Sequence, residues 1–133
     1  MNLKAFLALS LVIIITTLAG CSVNDSKTET SYSKISSKEA KEMMDEDSDI
    51  IILDVRTQDE YDSGHIEGAL LIPNDQITEK IESVLTNKDA TILVYCRSGR
   101  RSLSASKELA DLGYTNIYDF GGIIDWPYET VIK

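Results

Sequence analysis

Residues 91–102 read Thr-Ile-Leu-Val-Tyr-Cys-Arg-Ser-Gly-Arg-Arg-Ser, and they join a buried strand to a helix through a loop that contains a cysteine. The run 91–95 is apolar and rich in β-branched and aromatic side chains, which is typical of a strand covered on both faces. The leucines that follow predict a helix that ends near Gly113. In parallel α/β sheets, ligands bind at the carboxyl ends of the strands. Cys96 is therefore the first candidate for a functional residue.

Strands and helices continue to alternate on both sides of this stretch. Ser36 and Glu39 have the capping-box pattern, which predicts a helix over about residues 37–45. Isoleucines at helical spacing predict another helix shortly after Asp75, with this residue as its cap. Short apolar runs predict strands at residues 50–55, 69–72, 91–95 and 117–120. This alternation indicates an α/β fold with a mostly parallel central sheet.

The composition limits the classes of function. The chain has 133 residues, with 13 Lys and Arg against 22 Asp and Glu, a formal net charge of −9, one His and two Cys. Such a length suits a single domain. The acidic balance repels phosphate backbones, so nucleic acid is not expected as a partner. Two cysteines exclude a disulfide-rich scaffold, and no metal or organic cofactor is expected.

The first twenty residues have the pattern of a secretory signal. Lys4 precedes an uncharged, mostly apolar run over residues 5–19, and no acidic residue appears before Asp25. The residues Leu-Ala-Gly-Cys at 18–21 resemble the lipobox of bacterial lipoproteins, which implies cleavage before Cys21 and attachment of lipid to this cysteine. An uncleaved membrane helix is the alternative, because the apolar run is marginal for a span that needs about 20 residues.

Three segments follow from these features. Residues 1–20 are the predicted lipoprotein signal peptide, residues 21–32 the lipidated cysteine with a flexible polar tether, and residues 33–133 the folded domain. The tether consists almost entirely of small polar residues, which cannot bury enough apolar surface to fold. The domain is therefore expected on the extracytoplasmic side of a bacterial membrane, anchored through lipid on Cys21.

The loop after residue 95 has the features that activate a cysteine. Cys96 reacts as a thiolate, and a helix N-terminus with nearby arginines lowers the pKa of such a thiol. Arg97, Arg100 and Arg101 concentrate positive charge in an otherwise acidic chain. Gly99 permits a loop whose amides converge on an anion. A buried, inert cysteine is the alternative, but the arginines argue against an apolar environment.

Four stretches of the chain form a known pattern. They are Leu-Asp-Val-Arg at 53–56 with Glu60-Tyr61, Gly-His-Ile-Glu-Gly-Ala at 64–69, Tyr-Cys-Arg-Ser-Gly-Arg-Arg-Ser at 95–102, and Gly-Gly-Ile-Ile-Asp-Trp at 121–126. In this order they resemble the rhodanese family of sulfurtransferases, over about residues 33–128. The resemblance implies a single rhodanese domain, with helices on both faces of the sheet and Cys96 as the catalytic sulfur carrier.

The resemblance also implies a substrate-binding loop. Its expected members are Arg97, Ser98, Gly99, Arg100, Arg101 and Ser102. Four residues separate Cys96 from Arg101, whereas phosphatases that share the fold have five at this point. The shorter loop favours a terminal sulfur over a tetrahedral phosphate. Spacing leaves open which arginine reaches the substrate, and Arg101 is also a candidate to brace the loop.

Three acidic and basic motif residues near the cysteine are assigned to structure. In the rhodanese family the Asp-x-Arg segment stabilises the active-site side of the sheet, which implies this role for Asp54. Arg56 and Glu60 are expected to pair with each other across the turn that follows.

The remaining motif residues are also expected to have structural roles. His65 is the only histidine. A catalytic dyad with Cys96 is one interpretation, but a packed or capping histidine is favoured. Gly121 and Gly122 are expected to make a tight turn, and Trp126 to cap the core.

The sequence thus favours a sulfurtransferase with a ping-pong mechanism. Cys96 takes sulfur from a small anionic donor, thiosulfate or a persulfide, and passes it to a thiol or cyanide acceptor. The protein is expected to be a monomer. One alternative is a non-enzymatic rhodanese module that binds a partner or senses redox state through Cys96. The other is a phosphatase or arsenate reductase, which the short loop disfavours.

Overall fold

The computed structural model describes residues 31–133. The predicted signal peptide, the predicted lipid attachment at Cys21 and nearly all of the predicted tether lie outside the described residues. From residue 31 to the C-terminus, no helix is both long enough and apolar enough to span a membrane.

Strands and helices alternate along this part of the chain. The strands are β1 (Ser33–Lys34), β2 (Ile51–Asp54), β3 (Leu70–Leu71), β4 (Thr91–Cys96) and β5 (Asn116–Gly122). The helices are α1 (Ser37–Glu46), α2 (Gln58–Ser63), α3 (Ile77–Val84) and α4 (Arg100–Asp111), with short 3-10 turns at Asn74–Gln76 and Ile123–Asp125. The strands pair in parallel in the order β1-β5-β4-β2-β3. The strand that ends at Cys96 is therefore the central one.

Side chains of β4 alternate between two hydrophobic cores. Ile92, Val94 and Cys96 face the core that contains residues of α3 and α4, whereas Leu93 and Tyr95 face the core that contains residues of α1. All five side chains are at most 1% exposed. Burial of one large aliphatic side chain stabilises a fold by about 1.5–3 kcal/mol. Coverage on both faces therefore anchors the strand that carries the cysteine.

The structure confirms the predicted α/β fold, a parallel sheet with helices on both faces. The capping box of α1 is present: the Ser36 N–H donates to Glu39 Oε2 (2.7 Å), and the Glu39 N–H donates to Ser36 Oγ (3.2 Å). Helix α1 ends at Glu46, one residue beyond the predicted end. Strand β4 includes Cys96 as its last residue, whereas the sequence placed the strand end at residue 95.

The predicted cap of α3 is wrong. Asp75 lies inside the 3-10 turn Asn74–Gln76, and α3 begins at Ile77 with no side-chain cap. The chain leaves β3 through this extra turn, so the helix starts one residue later than a cap at Asp75 requires.

Two elements, β1 and α2, were not predicted. The signal for α2 is present in the sequence, because Thr57 and Glu60 form a second capping box. The Thr57 N–H donates to Glu60 Oε2 (2.9 Å), and the Glu60 N–H donates to Thr57 Oγ1 (3.3 Å). Strand β1 has only two residues, Ser33–Lys34, which is too short to show a hydrophobic period.

A buried ion pair at the end of β2 is hydrogen-bonded to the end of β4. Asp54, which is 0% exposed, accepts hydrogen bonds from Arg56 Nε (3.0 Å) and Nη2 (2.7 Å). The Tyr95 hydroxyl donates to Asp54 Oδ2 (2.6 Å) and accepts from the Ile66 N–H (3.2 Å). Burial, together with the bond to Asp54, raises the pKa of Tyr95 well above its ordinary range. The network fixes β2 against the residue that precedes Cys96.

We expect Asp54→Asn to destabilise the protein by about 3–5 kcal/mol, because it leaves the Arg56 guanidinium buried without a counterion. Urea denaturation measures the free energy of unfolding. The control is Glu42→Gln, which breaks an ion pair with Lys38 whose side chains are 59% and 79% exposed. That loss is expected to stay below about 1 kcal/mol. Equal losses in the two variants would contradict a structural role for the buried pair.

Candidate active site

Cys96 lies at the carboxyl end of the central strand, under a tight loop. The loop consists of Arg97, Ser98 and Gly99, and α4 begins at Arg100. The Gly99 N–H donates to Cys96 Sγ over 3.0 Å. Gly99 has a φ of 101°, in the left-handed region that favours glycine. This conformation turns the loop amides inward, so that they surround the sulfur.

The loop stabilises the thiolate form of Cys96. Burial raises the pKa of the thiol, but hydrogen bonds from the amide and hydroxyl of Ser102, and from the amides of Gly99 and Ser98, outweigh burial and lower the pKa below its ordinary value. The Ser102 hydroxyl also lies 3.1 Å from the Gly99 carbonyl oxygen. Because a hydroxyl has one proton, it donates either to that oxygen or to the sulfur.

The end of β5 and the residues after it pack against the loop at Arg97. A Cβ atom on Gly122 would lie 2.2 Å from the Arg97 carbonyl oxygen, so only glycine permits this close approach. The Ile124 N–H donates to the same oxygen (3.2 Å). The predicted tight turn at Gly121 and Gly122 is wrong, because both residues belong to β5 and the turn follows them. Gly122 is a site residue whose role is visible only from the packing of two distant segments.

Arg101 is held by an acidic side chain from another helix. Its Nη1 and Nη2 atoms donate to Glu60 Oε2 (2.7 Å) and Oε1 (2.8 Å). Arg101, together with the bonds from Thr57, lowers the pKa of Glu60 to about 2. The predicted pairing of Arg56 with Glu60 is therefore wrong, since Arg56 pairs with Asp54 and Glu60 pairs with Arg101. Of the two roles left open for Arg101, these contacts favour bracing of the loop.

Arg97 and Arg100 differ from the other arginines of the site. Both are exposed, and neither forms an ion pair with any of residues 31–133. They are therefore the arginines near Cys96 whose charge is available to an anion in solution.

His65 has the contacts of a packed residue. Its Nδ1 lies 2.8 Å from the Tyr61 carbonyl oxygen, and its ring stacks on the Tyr61 ring with centroids 3.6 Å apart. Its backbone exchanges two hydrogen bonds with Val131 (2.9 and 2.8 Å). Among the described hydrogen bonds, none joins His65 to Cys96. Trp126 is buried in the core that contains Tyr95.

A side pocket of about 350 Å³ opens beside the loop. Its lining, which defines the side pocket, includes Arg97 of the loop, Ile123 and Ile124 after β5, and Arg56, Asp59 and Glu60 around the start of α2. Asp59 is not among the site residues predicted from the sequence, because it belongs to the unpredicted helix α2.

A central parallel strand that delivers a cysteine into an amide-lined loop defines a single rhodanese-like domain. The family model described as the rhodanese-like domain matches residues 36–127, and the chain belongs to this family. The chain is 37% identical over 73 residues to the thiosulfate sulfurtransferase PspE of Escherichia coli, which covers 55% of this chain and 70% of that protein. It is 36% identical over 96 residues to the thiosulfate sulfurtransferase GlpE of Coxiella burnetii, which covers 71% and 87%.

Solved structures support the same assignment. The crystal structure of a rhodanese-related protein from Thermoplasma volcanium superimposes with a TM-score of 0.67 at 30% identity, covering 77% of this chain and 100% of that one. The resemblance to the rhodanese family is confirmed, and residues 36–127 form a single rhodanese-like domain with sulfurtransferase homologues.

We expect Ser102→Ala to raise the pKa of the Cys96 thiol, because the variant loses a hydroxyl that stabilises the thiolate when its proton is directed at the sulfur. The rate of alkylation at Cys96 by iodoacetamide, followed by peptide mass against pH, should shift to higher pH. The control is Ser106→Ala, one turn further along α4, whose buried hydroxyl has no hydrogen-bond partner among residues 31–133. The explanation fails if both variants shift the profile equally or neither shifts it.

Proposed function

We propose that the protein is a sulfurtransferase that carries sulfane sulfur as a persulfide on Cys96. Relatives named as thiosulfate sulfurtransferases support this chemistry. The observation that carries the proposal is the short contact between the Gly99 N–H and Cys96 Sγ, together with the lowered pKa of the thiol. A buried cysteine kept for packing alone does not need donors directed at its sulfur.

The first half-reaction follows from this arrangement. The Cys96 thiolate attacks the outer sulfur of thiosulfate, a new S–S bond forms, and the bond to the sulfonate group breaks. Sulfite leaves with the electron pair, and the enzyme holds a persulfide with the charge on its outer sulfur. The amides that stabilise the thiolate are placed to stabilise this persulfide anion as well.

The second half-reaction returns the enzyme to its starting state. An acceptor thiolate, or cyanide, attacks the outer sulfur of the persulfide, and the S–S bond to Cys96 breaks. The cysteine leaves as a thiolate, which the same loop stabilises. No oxidant or reductant is consumed in either half-reaction.

Two exposed arginines suit an anionic donor. Arg97 and Arg100 lie on either side of the loop residues 98 and 99, and their charge is not cancelled by partners among the described residues. Arg101 is tied to Glu60 and has a bracing role. The loop has four residues between Cys96 and Arg101, which suits one sulfur atom better than a phosphoryl group.

We further propose that the domain is tethered to a bacterial membrane on its extracytoplasmic side. The support is the sequence of the first 21 residues, in which an apolar run ends at Leu-Ala-Gly-Cys. Lipid on Cys21 leaves Cys96 as the cysteine available for chemistry. The segment to residue 32 then serves as the spacer between the membrane and the domain.

Incubation of the full chain with thiosulfate is expected to add the mass of one sulfur atom, because Cys96 forms a persulfide, and to release an equivalent amount of sulfite. Intact-mass spectrometry measures the addition. Cys96→Ser should abolish it completely. Cys21→Ser, which removes the other cysteine of the chain, should retain it.

Two results would contradict this function. One is a sulfur adduct that persists in folded Cys96→Ser. The other is a folded wild-type protein that takes up no sulfur from thiosulfate or from an organic persulfide. Hydrolysis of a phosphotyrosine analogue in the second case would point to the phosphatase alternative.

For the tether, we expect a palmitate analogue to label the protein in a bacterial host, because lipid is attached at Cys21. The label should be lost in Cys21→Ser and retained in Cys96→Ser. Globomycin, which inhibits lipoprotein signal peptidase, should cause accumulation of a precursor that keeps residues 1–20. Unchanged processing in the presence of the drug would rule out a lipoprotein signal.

A further inference from the structure

The side pocket contains two charged side chains that no residue of the described range 31–133 neutralises. Arg56 is paired with Asp54, and Glu60 is paired with Arg101. The other two charged members of the lining, Asp59 and Arg97, are exposed and form no ion pair with any residue from 31 to 133. The pocket therefore offers one free carboxylate and one free guanidinium, a balanced pair of opposite charges.

The remaining wall of the pocket is mostly apolar, and Ser63, whose hydroxyl donates to the Asp59 carbonyl oxygen, is its one polar member. Ile123 and Ile124 contribute to the lining, and Ile124 is 64% exposed although it is a large aliphatic side chain. The Ile124 N–H donates to the Arg97 carbonyl oxygen (3.2 Å), which fixes this wall directly against the catalytic loop. A volume of about 350 Å³ is at the lower end for small-molecule pockets, so the pocket has room for a small molecule and not for a large cofactor.

The two free charges of the pocket suit a sulfur acceptor better than the donor thiosulfate. Thiosulfate is a dianion, and the free carboxylate of Asp59 disfavours it in this pocket. A molecule with one cationic and one anionic group satisfies both free charges. The apolar wall suits the short methylene segment of such a molecule. These properties match an acceptor rather than a donor.

We propose that the side pocket selects the sulfur acceptor, and that this acceptor is a small aminothiol carboxylate of the cysteine type. Its ammonium group pairs with Asp59, its carboxylate pairs with Arg97, and its thiolate attacks the outer sulfur of the Cys96 persulfide. The S–S bond to Cys96 breaks, the acceptor becomes a persulfide, and Cys96 returns to the thiolate. The proposal rests on the sulfurtransferase function proposed above.

The test isolates the second half-reaction. The full chain is loaded with sulfur from thiosulfate, and loss of the adduct is followed by intact mass after addition of one of three acceptors. Cysteamine carries only the ammonium group, 3-mercaptopropionate carries only the carboxylate, and cysteine carries both. Because the same thiols are compared across variants, their intrinsic nucleophilicities cancel in the ratio of rate constants.

Asp59→Asn should lower the rate ratio of cysteamine to 3-mercaptopropionate by about threefold to fivefold, the factor expected for an exposed charge pair. Arg97→Gln should raise the same ratio by a similar factor. Both variants should slow transfer to cysteine. Asp59→Glu, which keeps the charge, should restore the wild-type ratio. Asp111→Asn, an exposed aspartate at the far end of α4, is the matched control and should leave the ratio unchanged.

The outcomes separate the two proposals. If no persulfide forms on the folded wild-type protein, the sulfurtransferase function itself fails. If the persulfide forms but the ratio shifts in only one of the two variants, in neither, or equally in Asp111→Asn, the assignment of the pocket is overturned. Opposite shifts in Asp59→Asn and Arg97→Gln, slower transfer to cysteine in both variants and no shift in the control would support the zwitterionic acceptor.

Discussion

The sulfur of Cys96 is buried, and hydrogen bonds from its own loop allow it to carry negative charge there. Removal of a thiolate from water is unfavourable, and the pKa of the thiol would rise without compensation. The amides of Ser98, Gly99 and Ser102 and the Ser102 hydroxyl supply that compensation. The other features of the site serve this arrangement. The central strand places the sulfur at the carboxyl end of the sheet, and the loop conformation directs the hydrogen-bond donors at the sulfur.

The loop keeps its shape because two segments that are distant in sequence contact it. Gly122, at the end of β5, approaches the Arg97 carbonyl so closely that no side chain fits between them. On the other side, Glu60 holds Arg101 through two hydrogen bonds and at the same time caps α2. A single carboxylate thus connects the position of α2 to the start of α4. This connection explains why the side pocket, formed partly by α2, lies against the loop that follows Cys96.

Ion pairing divides the arginines of the site into two groups. Arg56 and Arg101 have buried or part-buried carboxylate partners and stabilise the structure. Arg97 and Arg100 lack such partners among the described residues, and their charge faces solvent. Spacing along the chain does not distinguish these groups, since three of the four lie within five residues of the cysteine. The choice of partner depends on which carboxylates the fold brings near.

Local patterns account for the features that the sequence predicted correctly. The capping box of α1, the apolar run of β4 and the cysteine at its carboxyl end depend on neighbours in sequence. Helix α2 was missed although its capping box at Thr57 and Glu60 is equally visible, because only six residues follow and they lack an apolar period. Asp75 was misplaced because an extra turn, rather than the cap, sets the start of α3.

The sequence by itself determined the fold class, the family resemblance and the identity of the candidate nucleophile. Each of these depends on short runs of residues whose periodicity and order can be recognised in the sequence alone. Only the tertiary structure decided that Glu60 pairs with Arg101 and that Asp59 lines the same pocket as Arg97. It also decided that the Arg97 carbonyl oxygen lies where a side chain on residue 122 would be, so that glycine is needed there. The physical reason is that hydrogen bonds, steric contact and ion pairing act over a few ångströms in space. Residues separated by tens of positions along the chain come within that range only when the sheet has formed.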